Sequence, residues 1–113
     1  MRVVEHEGMY KSSRIAGPKH NYLGIAFSNC PGQIEVIERN MAGDVGNTKN
    51  IAATDVMEVV VKVVERESTV IGRRLFVARV EYIPTDTPEV EAYEELATTI
   101  ARYALQKLDC VGC

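Results

Sequence analysis

The chain reads as an α+β domain: a mainly antiparallel sheet of four to five strands with one long C-terminal helix packed on one face. Three observations predict this. Alternating apolar runs recur from Val3 to Ile83, Gly/Pro/Asn clusters punctuate them, and a single apolar stripe of helical period fills the last quarter. The length, 113 residues of which 46% are hydrophobic, suits one core and therefore a single domain over 1–113.

Val3-Val4 marks a first short strand that can run on to Tyr10. Tyr22 to Ser28 is a second, bounded by Gly17-Pro18 before it and Asn29-Cys30-Pro31-Gly32 after it. Gln33 to Glu38 is a third, with Ile34 and Val36 on one face. Asn40 to Asn50, rich in Gly and Asn, reads as a loop. The strongest β signal is Val56–Arg66 followed by Arg73–Ile83. Met57, Val59, Val61 and Val63 alternate in the first run, and Phe76, Ala78, Val80 and Tyr82 in the second. A hairpin that buries both sets must pair Val61 with Ala78 and Val63 with Phe76, because side chains alternate with period two. Its turn then falls at Ser68 to Ile71. The other face of this hairpin keeps Val60, Val64, Leu75 and Val77, which one helix cannot cover, so self-association into a homo-oligomer is expected.

The helix runs from Pro88 to about Leu108. Thr87 offers an N-cap hydroxyl, and Pro88 tolerates the first helical position. Glu89, Glu91, Glu94 and Glu95 lie toward the N-terminus, with Arg102 and Lys107 toward the C-terminus, as the helix dipole prefers. Val90, Tyr93, Leu96, Ala97, Ile100, Ala104 and Leu108 form the stripe that should face the sheet.

Charge is the main functional clue. No Asp or Glu occurs from Gly8 to Ile34, although the whole chain carries −3. Outside that stretch, 10 Lys and Arg stand against 16 Asp and Glu. Lys11, Ser12, Ser13, Arg14, Lys19, His20 and Asn21 together supply cations, hydroxyls and an amide. That is the chemistry of a site for a phosphate- or carboxylate-bearing small molecule. The segment lacks the spacing of either common phosphate-binding glycine loop. The competing reading is a solvated connection whose basic residues pair with the acidic remainder. Tyr22, Gly24, Ala26 and Ser28 form a small-residue strand face, which leaves room for a ligand or lets the helix approach closely. His20 is the segment's one candidate proton carrier, with no partner carboxylate identifiable from spacing. His6, between Glu5 and Glu7, reads as a solvated strand histidine.

The alternative function is a protein–protein interaction or structural module. A third reading rests on Cys110-Val111-Gly112-Cys113, which has metal or redox spacing. It follows a helix rather than opening one, so 109–113 reads as a tail. With Cys30 the cysteine count is odd, which argues against a disulfide framework. Asp44 to Thr48 lacks the calcium-loop pattern, so no metal is assigned. No cofactor is identifiable. The modest net charge and sparse aromatics do not favour nucleic acid. No apolar run is long enough to span a membrane, and no secretory leader is seen, so a cytoplasmic protein is expected.

Overall fold

The computed structural model describes residues 2–16, 19–39 and 50–107. It contains five strands and two helices: β1 (Val4–His6), β2 (Met9–Ala16), β3 (Lys19–Ser28), β4 (Glu35–Glu38), α1 (Ala53–Ile71), β5 (Phe76–Tyr82) and α2 (Val90–Lys107). The strands form one sheet in the order β1-β2-β3-β5-β4. Every neighbouring pair is antiparallel except β4 with β5. The parallel pair is what a crossover through α1 requires. The α+β class, the mainly antiparallel sheet and the long C-terminal helix on it agree with the sequence reading.

The expected central hairpin is absent. Val56–Arg66 lies within α1, so it has no strand register with β5, and the predicted pairing of Val61 with Ala78 does not exist. The run satisfies two periods at once. Its buried residues, Val56, Val60, Val63, Val64 and Glu67, follow steps of three and four. Gly72 ends the helix in the left-handed region, at φ 78°. Its N–H donates to Ser68 O at 2.9 Å, a closure that favours glycine. The apolar residues expected to remain uncovered, Val60, Val64, Leu75 and Val77, are all buried within this one chain. The ground for expecting self-association from them is therefore gone.

β5 is central, not half of a hairpin. It pairs with β3 through Leu23↔Tyr82 and Ile25↔Val80. A bulge follows: Ala26 faces Arg79 but Phe27 faces Val77, leaving Ala78 as the extra residue. This puts Val77 on the same face as Val80 and Tyr82, which is why Phe76 and Ala78 are not the buried set.

Both helices lie on one face. α2 packs on β2 and β3, α1 on β5 and β4, and the helices touch each other. The core between the layers holds Leu23, Ile25, Tyr82, Tyr93, Leu96 and Ile100. Thus the predicted stripe of α2 is core, apart from exposed Val90; Leu108 lies outside the described residues. The helix starts two residues beyond Pro88, because Thr87 is otherwise engaged. Its hydroxyl accepts the His20 N–H at 3.2 Å. The two helices are also joined across their outer surface. Glu67, 4% exposed, accepts from Arg102 Nε at 2.6 Å and from Arg66 Nε at 3.2 Å. These guanidiniums hold its carboxyl below the ordinary value.

Among the described residues no helix is long and apolar enough to cross a membrane. Cys30, exposed after β3, is disulfide-bonded, contrary to the expectation from the odd cysteine count. Cys110, Cys113 and Asp44–Thr48 lie outside the described residues.

Candidate functional site

The acid-free stretch is not a connecting loop. It is the antiparallel pair β2–β3, in register through Lys11↔Gly24, Ser13↔Tyr22 and Ile15↔His20. Alternation along those strands sorts the seven candidate residues by face. Ser12, Arg14, Lys19 and Asn21 fall on the helix side with Leu23 and Ile25. Lys11, Ser13 and His20 fall on the opposite, uncovered face with Tyr22 and Gly24. The small-residue face of β3 is therefore turned away from the helices, which settles the sequence alternative against close helix approach.

On the helix side every polar group of this set has a partner. Arg14 Nη1 lies 3.3 Å from Glu95 Oε2. Lys19 pairs with Glu89, whose carboxyl is held below the ordinary value by that ammonium. Ser12 Oγ donates to Arg2 O at 2.9 Å, and buried Asn21 donates from Nδ2 to Thr87 O at 2.7 Å. Here the pairing that the competing reading expected is seen, though in strands and not in a loop: Glu95 and Glu89 neutralise Arg14 and Lys19.

The uncovered face differs. The Tyr22 hydroxyl donates to Glu81, and Lys11 Nζ sits 3.6 Å from the same carboxylate. The Arg39 guanidinium stacks 5.3 Å from the Tyr22 ring centre. Burial, followed by Glu81, pushes the Tyr22 phenol well above its ordinary value, against the pull of Arg39. Gly24 is the floor of this cluster. A β-carbon there would lie 3.2 Å from the Tyr22 oxygen and 3.4 Å from Lys11 Cγ, tighter than side chains normally pack. Beside the cluster is a shallow depression of about 340 Å³ lined by Arg2, Val4, Lys11, Ser12, Ser13 and Tyr22. Arg2 and Ser13 are exposed there. Lys11, Arg39 and Arg2 against Glu81 and Asp86 leave one positive charge in excess. The neighbouring Arg79 and Glu35 pair with each other at 3.5 Å.

Sequence reasoning missed Arg2, Arg39, Glu81 and Asp86. Arg2 and Arg39 lie outside the acid-free stretch, and the two acids are contributed from more than 50 residues away along the chain, so no local pattern marks them. Asp86 is the carboxylate that the spacing could not supply for His20. Its Oδ1 accepts from His20 Nδ1 at 2.9 Å, and its Oδ2 accepts the Tyr22 N–H at 2.8 Å. His6, in contrast, is exposed, with its Nε2 3.9 Å from the Glu7 carboxylate. No group of three or more potential metal ligands occurs among the described residues. No protein-family description and no characterised protein sequence matches this chain.

Proposed function

We propose that the domain binds a small phosphate- or carboxylate-bearing molecule on the uncovered face of its sheet. The ligand sits in the depression between Arg2, Lys11, Ser13 and Tyr22. One observation carries the reading. The helix-side cations of the segment are each matched by a carboxylate, whereas this face keeps a positive excess beside an open depression. A guanidinium fork, an ammonium and a hydroxyl converge on one anionic group with complementary donors. Arg14 and Lys19, engaged with Glu95 and Glu89, leave the proposed ligand set. Cytoplasmic residence belongs to this reading, and the disulfide at Cys30 weighs against it, since disulfides are rare in that compartment.

Calorimetric titration with inorganic phosphate, pyrophosphate, nucleoside monophosphates, succinate and citrate is the test. At least one should bind, more weakly as salt rises. Arg2→Ala combined with Lys11→Ala should remove binding, and Arg14→Ala should leave it intact. Failure of the whole panel, or binding that survives the double substitution, overturns the reading. A second reading, self-association or docking of a protein partner, is favoured by Val4 and Ile15 on the same face, 49% and 73% exposed. Sedimentation at tens of micromolar separates monomer from oligomer.

A further inference from the structure

His20 and Asp86 form a unit whose geometry exceeds what anion binding needs. Asp86 is 6% exposed, and its two oxygens face His20 Nδ1 and the Tyr22 N–H. A carboxylate only accepts hydrogen bonds, so Nδ1 carries a ring proton, and in the neutral imidazole the lone pair is on Nε2. The His20 side chain is 45% exposed, so its ring is not enclosed by the core. The backbone beneath it is pinned on both sides. The His20 N–H donates to Thr87 Oγ1 at 3.2 Å, and the Thr87 N–H donates to His20 O at 3.1 Å. An imidazole fixed in one tautomer by a buried carboxylate, with its other nitrogen free, is the arrangement of a general base. His20 precedes Tyr22 by two residues on the same strand face, roughly 7 Å along the strand. The depression that holds Arg2 and Lys11 ends at Tyr22, so a molecule anchored there must reach past Tyr22 to meet Nε2.

We propose that His20 is a general base acting on that molecule and that Asp86 is its positioning residue. The reaction class is hydrolysis of an ester carrying a carboxylate or phosphate group. Nε2 takes a proton from water as the water oxygen bonds to the ester carbonyl carbon. Asp86 stabilises the imidazolium so formed. The carbon–oxygen bond to the leaving alkoxide then breaks, and Nε2 returns the proton to it. Water is the only co-reactant. The substrate class rests on the anion-site reading; the dyad does not.

The test uses two probes, para-nitrophenyl acetate and the anionic mono-para-nitrophenyl succinate. His20→Gln should lower protein-dependent hydrolysis of both by at least about tenfold, and His6→Gln should not. The succinate should be the faster substrate, and Arg2→Ala with Lys11→Ala should abolish only that preference. Long-range proton–nitrogen NMR should find His20 as the Nδ1–H tautomer in the wild type. Asp86→Asn should lose that signature together with the rate, in protein whose circular dichroism shows it folded. If the His20→Gln rate equals wild type, the general-base role is wrong. If His20 is the Nε2–H tautomer, or folded Asp86→Asn keeps full rate, Asp86 is not positioning it. A succinate preference that survives loss of Arg2 and Lys11, with His20 still required, overturns the anion site alone.

Discussion

Stripping the two guanidiniums from Glu67 should destabilise the fold more than removing Glu67 itself. Its carboxylate side chain is 5% exposed, whereas Arg66 and Arg102 are 44% and 62% exposed. Glu67→Ala returns two partly hydrated cations to water and loses two charge-assisted hydrogen bonds, a cost of about 1–2 kcal/mol. Arg66→Ala with Arg102→Ala leaves a carboxylate buried and unpaired, which costs about 3–5 kcal/mol. The surface contacts of Arg66 with Glu94 and Thr98 add little, at most about 1 kcal/mol. Urea unfolding at pH 7 and pH 4 is the assay, and the pH dependence separates the two effects. In the wild type the Glu67 carboxyl is held below its ordinary value. Its stabilisation is thus present above the unfolded pKa, about 4.3, and is lost as pH falls through the lower folded value. In the double variant burial remains without the cations. The folded pKa is then raised, and the penalty should shrink on acidification. The reasoning fails if Glu67→Ala costs more than the double variant at pH 7. It also fails if the double variant stays within about 0.5 kcal/mol of wild type.

Two further outcomes follow from the core. Leu96→Ala should cost about 2–5 kcal/mol in the same unfolding assay, because Leu96 is fully buried between α2 and the sheet; a loss under about 1 kcal/mol would place it outside the core. Of the five tyrosines, Tyr10, Tyr22 and Tyr93 should resist alkaline titration followed by ultraviolet absorbance, with Tyr93 pushed by burial up to about 12. Their folded pKa values lie above the unfolded value near 10, so their stabilisation holds below about pH 10 and is lost as pH rises toward the folded values. Three tyrosines that ionise together near pH 10 in folded protein would contradict this.

The class of the fold, β3, β4 and α2 were legible because each carries one unambiguous period or a flanking turn signal; β5 was legible as a strand but not in its partner or its buried face, since the bulge at Ala78 breaks its alternation. α1 was not. Its β-branched valines satisfy alternation and helical spacing together, and tertiary burial against β5 decided between them. Gly72 was the readable stop: a glycine after nineteen helix-compatible residues marks a helix end better than a strand interior. The acid-free stretch located the right strands but could not divide their faces. Lys11 and Arg14 meet Glu81 and Glu95, far along the chain, and only the β2–β3 register shows which cations face the helices. The same long separation hid Asp86 from His20.

The turn at Ile83–Thr87 has a further consequence, for how the protein keeps company with itself. β5 leaves the sheet after Tyr82, opposite Leu23, while β3 continues back to Lys19. Left bare, that stretch would offer an unfinished ladder to any extended chain. Asp86 and Thr87 occupy it instead, and the carboxylate on the Tyr22 N–H accepts without offering a donor in return. The notch inside the sheet is thereby closed to strand exchange. Damage to this turn should show first as aggregation on storage, while the core layers remain intact.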